Sequence, residues 1–537
     1  MSVTVQAAMA GTNAVGRAVP RARAWGLALL ALAAVGLAVG IAILDASPVG
    51  IATDDAFYVI LARALATGQG YRYLNLPGLP AATHFPPGYP AVLALLWRLA
   101  PAFPENLMLF KALNAVCLGA IAVGIARLAR ARLFPNGWAV GLGALTAVSV
   151  PLLVLGTMLM SEFLFLALLL PLLVELERWV DRAPDSPAPA WHPVALGAAI
   201  GVCMLVRTHA IVLLPATALL LLRRRRVRDA AVMLGVALLV LAPWQLWCTG
   251  HAEAVPPALR GEYGSYFGWW LQGYRTMGPR MIPLTLHRTV GETLGMFAVI
   301  FSPSRGMAGR AGTLAALTMV AVAGVRASRR RIPVTLLFLA GYLGIVALWP
   351  FPSGRFVWSV WPLLLLVLLA GAPRLGAAVR AGTRRERGMA LAGIAALAWL
   401  TAGYGAYELR ATRGRWWSSI ARENALRLVP EFRWTLANTA PADLVGTADD
   451  GAVYLYTGRQ TVPVNRFTVQ QYLTDIPTRL DAEEGLLPIL TAYPVRTVIV
   501  GSTATFAAAQ YLARQPVPRL AIRDTLPNGV AFTVLPR

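Results

Sequence analysis

The 537-residue chain predicts a polytopic α-helical membrane protein with about eleven spans and a small C-terminal α/β soluble domain. Three observations carry this. Hydrophobic residues make up 57% and charged residues 14%, against about 25% charged in soluble domains. Apolar runs of bilayer length recur over the first 407 residues. Arginines gather in every second connection between those runs. For most of its length this composition excludes a water-soluble globule, a disordered chain and a disulfide scaffold.

The spans follow in order. Residues 1–24 form a cytoplasmic segment with Arg17, Arg21 and Arg23 before the first apolar stretch at 25–44. A cleaved leader has an apolar region of only about 7–15 residues, so this stretch reads as a retained anchor. Further runs fall near 107–126, 137–156, 160–180, 193–206, 209–222, 229–249, 310–325, 332–349, 357–372 and 388–407. Residues 25–407 thus form a multi-span domain. Arginine clusters at 127–132, 178–182, 223–228, 326–331 and 374–387 mark its cytoplasmic side. The N-terminus is then inside, in the cell (inner) membrane, and the C-terminus is outside. The net charge of +23, carried by 47 arginines and the single Lys111, is therefore read as topology anchoring and not as a nucleic-acid face. Arg207 interrupts 193–222, which reads as two short helices meeting near the outer face. Residues 291–303 read as a re-entrant or interfacial segment.

Three parts face outward: 45–106, 250–309 and 408–537. The last is rich in charge, with β-like runs at 443–446, 452–456, 461–464, 497–500 and 531–534 and helical stretches around 466–491 and 503–514. It has no phosphate-binding glycine loop. Cys117, Cys203 and Cys248 all lie within apolar runs, as ordinary core cysteines do.

The chemistry concentrates in 45–106. Asp54-Asp55-Ala56-Phe57-Tyr58 opens a stretch in which Phe57, Ile60, Leu61, Ala64 and Leu65 fall at helical spacing. This predicts an amphipathic helix at the outer interface, closing near Gly68. One acid suffices for an N-cap. Adjacent helix positions point about 100° apart, so the two acids take different roles: one a base, the other a substrate ligand or an orienting group. His84-Phe85-Pro86-Pro87 follows. Its prolines force an extended chain, and Pro90 starts the next helix.

In order along the chain, these motifs are joined by Met160-Ser161-Glu162-Phe163-Leu164-Phe165, Leu205-Val206-Arg207-Thr208, Ala242-Pro243-Trp244 and Gly354-Arg355-Phe356. Together, over about residues 20–370, they resemble the GT-C superfamily of membrane glycosyltransferases. The likeness is to the branch holding the protein O-mannosyltransferases and the lipid A aminoarabinose transferases (glycosyltransferase family 39 type). Two departures stand out: Asp54-Asp55 replaces the commoner Asp-Glu, and one residue is inserted in the His-Pro-Pro element. Both aspartates thus stay open as the base.

The resemblance implies transfer of a sugar from a polyprenyl-phosphate-linked donor to an extracytoplasmic lipid, polysaccharide or protein acceptor. Asp54 and Asp55 are the catalytic candidates, with Asp54 first as general base. Tyr58, His84, Glu162, Arg207 and Arg355 are the substrate-binding candidates. A departing phosphate calls for fixed positive charge, which arginine supplies with bidentate geometry; at the bilayer edge the same residues also serve as snorkelling anchors. Glu162, an acid at the start of a span, is costly there unless it has a task. No cofactor is required, although Asp54, Asp55, His84 and Glu162 could together hold a divalent ion. Tyr263, Tyr266, Trp269 and Trp270 suit an interfacial belt or carbohydrate stacking. The rival reading is a transporter or lipid flippase. It calls for inverted repeats and helices broken at mid-membrane, and neither is visible. A non-catalytic scaffold for the soluble tail is the third reading.

Overall fold

The computed structural model of the chain describes residues 3–50, 53–182, 189–465 and 467–536. Every apolar run lies on a helix. Among the described residues six helices are long and apolar enough to cross a bilayer alone: Ala22–Ala42 (part of Val3–Ala42), Leu107–Arg132, Val227–Gly250, Met307–Ser328, Trp361–Ala381 and Arg384–Arg413. Asn136–Val148 and Val150–Gly156 form a seventh, bent by 49° at Ser149. The other runs give helices that are shorter or carry charge. Trp191–Val206, Thr208–Arg223 and Pro333–Ala347 are short. Ser161–Asp181 has 21 residues but includes Glu162, Glu175, Glu177 and Arg178.

The bundle has two chemically distinct ends. At one, the arginine clusters come together across helices. Arg132 and Arg224 both pair with Asp181, Arg226 donates to the Trp179 carbonyl at 2.7 Å, and Arg374 donates to the Arg326 carbonyl at 3.3 Å. The opposite end begins where Ser161–Asp181 begins, about 30 Å away at 1.5 Å per residue. There Arg207 ends one short helix and precedes the next. The helix Met281–Phe301 stays near this second end. Thr289 donates to the Trp349 carbonyl at 3.2 Å, and Phe301 stacks on Trp361 and Tyr404. It takes in 291–301 within one helix, with its apolar side chains Leu294 and Val299 exposed.

Small residues let the helices close. A Cβ on Gly36 would lie 2.7 Å from the Gly119 Cα, and one on Gly40 would lie 2.5 Å from the Ala115 Cα. Lys111 is buried on the same helix. Its ammonium donates to Asp45 Oδ1 at 3.0 Å and to the Asp45 and Ser47 carbonyls at 2.9 Å. That clamp fixes where the first long loop leaves the bundle.

The C-terminal part is a five-stranded sheet of β1 (Leu444–Thr447), β2 (Thr461–Val462), β3 (Val495–Val500), β4 (Leu520–Leu526) and β5 (Gly529–Val534), in the order β2-β1-β3-β5-β4. The first three strands are parallel and the last pair is antiparallel. Residues 452–456 are not a strand. They lie in the helix Asp450–Thr457, which closes at Gly458 with φ 72°. The reason is packing: Gly451 comes against Phe57, and a Cβ there would fall 3.0 Å from its ring. The strand β4 was missed because Arg523 and Asp524 break its apolar pattern at a sheet edge.

A buried polar joint binds the sheet to the loops. Asn75 donates to the Tyr263 hydroxyl at 2.6 Å and to Asp450 Oδ2 at 3.3 Å, and Tyr263 donates to the same oxygen. The Gly451 amide donates to Asp450 Oδ1 at 2.8 Å. Burial pushes the Asp450 carboxyl up to about 7, with the nearby Asp449 adding to it and its hydrogen bonds opposing. The unfolded value is about 3.9, so the fold favours the protonated acid. Its contribution is complete below about pH 4 and is lost as pH rises to about 7. The thermal midpoint of the detergent-solubilised protein should therefore fall across this window. In Asp450→Asn that part of the slope disappears, leaving the part due to Glu431 and Glu262, which burial raises in the same sense. Melting curves from pH 4 to 8 measure it, and identical slopes in the two proteins would refute the assignment.

Candidate functional site

The helix Asp54–Ala66 forms as its spacing predicts, but it is not amphipathic: Asp55–Ala62 are all buried, so protein covers every face of it. Thr53 precedes it with φ 62°, a left-handed conformation uncommon for a residue with a Cβ. The Thr53 carbonyl accepts from the Ala56 and Phe57 amides. This turn sets the two aspartates in different directions. Asp54 lines a cavity of about 540 Å³. Asp55 turns inward and is 1% exposed, with Oδ2 accepting from the Gly50 amide at 3.0 Å and Oδ1 from the Ala56 amide at 3.1 Å.

Four segments far apart in sequence meet on the cavity wall. Arg355 donates to Asp54 Oδ2 at 2.9 Å. Its Nε lies 3.4 Å from Glu162 Oε1, and Arg207 Nη1 lies 3.1 Å from the same oxygen. Arg207 also donates to Ser161 Oγ at 3.2 Å, and the Tyr58 hydroxyl lies 3.4 Å from that oxygen. The set is two guanidiniums and two carboxylates, balanced in charge. Glu162 is fully buried and does not face the cavity. It is a carboxylate behind the wall that both arginines share. It stands in the first turn of its helix, and Arg207 stands at the C-terminal cap of another. Both placements suit the helix dipoles.

His84 lies on the same wall. Its Nδ1 bears the hydrogen and donates to the Gly264 carbonyl, which leaves Nε2 as an acceptor. Its ring lies against Tyr266, with centroids 3.7 Å apart. Burial pushes the imidazole down to about 4, so it is neutral at pH 7. Tyr71, which donates to the Phe85 carbonyl at 2.9 Å, fixes the turn that delivers His84.

The structure thus brings Asp54, Tyr58, His84, Arg207 and Arg355 to one cavity, with Asp55 and Glu162 behind it. Among the described residues no three His, Cys, Asp or Glu side chains are grouped so as to hold a metal ion. Asp54 and Glu162 face guanidiniums instead. Sequence reading passed over Ser161, although it stands inside the quoted motif, and over His209. The His209 ring packs against Tyr342 on the same wall. Trp244, Ile211, Phe267, Ile345 and Trp349 give the cavity apolar walls, beside the polar Thr83, Thr208, Gln245 and Ser265. Ile211 is 49% exposed and Phe267 70% exposed, so the cavity opens between apolar side chains.

No protein-family model matches the chain and no curated sequence is significantly similar to it. Its fold is nonetheless found among solved structures. ArnT from Cupriavidus metallidurans bound to undecaprenyl phosphate superposes with a TM-score of 0.56 at 15% identity, over 94% of this chain and 97% of that one. The apo form of ArnT gives 0.54 at 14% identity, over 95% and 98%. The archaeal oligosaccharyltransferase AglB from Archaeoglobus fulgidus gives 0.49 at 14% identity, over 90% and 70%. The chain therefore shares the fold of ArnT, a bundle with several membrane-length helices and a small C-terminal α/β part.

The shared carboxylate generates a stability prediction. Removing one partner from a buried ion pair costs about 3–5 kcal/mol. Glu162→Ala, which leaves Arg207 and Arg355 facing each other, should lose an amount of that order in denaturant unfolding. Glu162→Gln should recover a part of it through hydrogen bonding. A loss under about 1 kcal/mol for the alanine variant would contradict the role given to Glu162.

Proposed function

We propose that the protein is a membrane glycosyltransferase that moves a sugar from a polyprenyl-phosphate-linked donor to the hydroxyl of an extracytoplasmic acceptor. One observation carries this reading: a carboxylate and two fixed cations face the same cavity, Asp54 held 2.9 Å from Arg355 and Arg207 linked to both through Glu162. The fold of ArnT, whose structure holds undecaprenyl phosphate, supports it. So does the apolar mouth at Ile211 and Phe267, which suits an isoprenoid tail. The arginine-rich end lies opposite the site, and positive-inside sorting sets that end in the cytoplasm and the site outside.

In this mechanism the donor phosphate lies against Arg207 and Arg355, whose free N–H groups take its oxygens. The phosphate is already a good leaving group, so it needs charge stabilisation and no general acid. Asp54 accepts the proton of the attacking hydroxyl. One of its oxygens is held by Arg355, which orients the carboxylate. The C1–phosphate oxygen bond breaks, the bond from C1 to the acceptor oxygen forms, and its proton goes to Asp54. Attack opposite the phosphate inverts the anomeric carbon. The neutral His84 and the Tyr58 hydroxyl offer hydrogen bonds to the sugar. Asp55 holds the turn before Asp54 and acts on geometry alone.

General-base catalysis contributes about 10²–10⁴-fold. Asp54→Asn should therefore lower transfer by that factor in proteoliposomes supplied with labelled polyprenyl-phosphate sugar and acceptor, with unchanged expression and a smaller fall in melting temperature than Glu162→Ala, because Arg355 keeps Glu162. Asp55→Asn should lower the melting temperature as well as the rate. Full transfer by Asp54→Asn would remove the base assignment. A transport reading would instead be favoured if label crossed the bilayer without any new glycosidic bond.

A further inference from the structure

A second cavity, of about 300 Å³, lies between the segment 257–277 and the C-terminal part at 463–489. The two cavities share that segment. Ser265, Tyr266 and Phe267 face the first, and Glu262, Trp269 and Gln272 face the second. The segment is held firmly. Trp269 donates to the Phe467 carbonyl at 3.0 Å and stacks on Phe351 at 5.0 Å between centroids. A Cβ on Gly273 would meet Val469 at 2.4 Å. The second cavity is thus a built junction and not a loose gap.

Its lining is specific. Glu262 is more than nine-tenths buried, and its Oε2 has no hydrogen-bond partner among the described residues. The same is true of Asn465 Oδ1. Two buried acceptors without donors cost free energy unless a ligand supplies O–H or N–H groups. Gln272 and Gln470 add amides that both give and take hydrogen bonds. Burial, with Asp450, Asp449 and Asp54 nearby, raises the Glu262 carboxyl well above the usual range. The charged groups Arg260 and Glu484 are on the rim, exposed and of opposite sign. An interior of side-chain amides and an unpartnered carboxyl oxygen, with both donors and acceptors, matches hydroxyl groups.

We propose that this second cavity seats the non-reacting sugar units of an uncharged, hydroxyl-rich glycan acceptor, whose nucleophilic hydroxyl enters the neighbouring cavity at Asp54. The assignment rests on the glycosyl-transfer reading and names its acceptor class. Glu262, Asn465 and Gln272 then select by hydrogen bonding, and the chain's own donor site remains separate.

The test is binding to the full-length protein in nanodiscs. The probes are fluorescent linear hexasaccharides of glucose, mannose or galactose, hexagalacturonate as an anionic match, and an oligolysine peptide. At least one neutral hexasaccharide should bind. Glu262→Ala should weaken it tenfold or more, and so should Gln272→Trp, which fills the mouth from an exposed position without disturbing the core. Both variants should bind undecaprenyl phosphate as the parent does. Tighter binding of hexagalacturonate or oligolysine would overturn the proposal, as would failure of every neutral probe or unchanged binding in both variants. Asp54→Asn keeps the hexasaccharide affinity, so loss of the base assignment shows in the transfer assay alone and is read separately from this one.

Discussion

Two guanidiniums enclosed by the helix bundle are the constraint around which the rest is arranged. Arginine does not shed its proton, so each must meet a carboxylate or face water. Arg207 is 7% exposed and meets Glu162; Arg355 meets Asp54 and Glu162. These four residues come from the first loop, the start of Ser161–Asp181, the break between two short helices and the turn after Pro333–Ala347. Their mutual attraction therefore fixes four segments relative to one another. The cavity is the space those segments enclose.

A similar demand fixes the outer parts. Asp450 can enter the interior only if its oxygens are satisfied, and Asn75, Tyr263 and the Gly451 amide do this from three separate stretches. Around them Phe57, Tyr73 and Tyr263 pack edge to face, with centroids 4.7–6.1 Å apart. The helix that carries Asp54 is thus held from behind by the soluble part. The carbonyl that orients His84 belongs to the residue after Tyr263. Movement at the joint would shift Asp54 and the imidazole together, which makes the C-terminal part a structural member of the candidate site.

Much of this was legible because it depends on composition and short motifs. Apolar runs lie on helices wherever they occur, and the arginine clusters gather at one end because adjacent connections alternate. Asp54, Tyr58, His84, Arg207 and Arg355 stood in motifs whose order along the chain located the site. Direction was not legible. Adjacency alone could not say which aspartate faces the cavity, because that depends on the left-handed turn at Thr53. Nor could it show that Glu162 is sealed behind the arginines. Glu262 and Asp450 were missed because their partners lie in other segments; Asn75 and Asp450 are 375 residues apart. The 452–456 stretch has a strand-like composition, and only its contact with Phe57 makes it helical.

The charge balance of the site bears on how it would act under the proposed reaction. Two arginines and two carboxylates sum to zero, so the cavity is not a strong anion trap. A polyprenyl-phosphate sugar is a phosphodiester with one negative charge, and the leaving polyprenyl phosphate is a monoester that can carry two. A site with large excess positive charge would bind the donor tightly without lowering the barrier, because only interactions stronger in the transition state do that. Here the carboxylates offset the net charge but leave several of the five N–H groups on each guanidinium unused. Those donors are fixed in place before any substrate enters, and they meet the oxygens on which charge grows as the C1–O bond breaks. Glu162 therefore contributes by holding two cations ready while limiting their grip on the ground state.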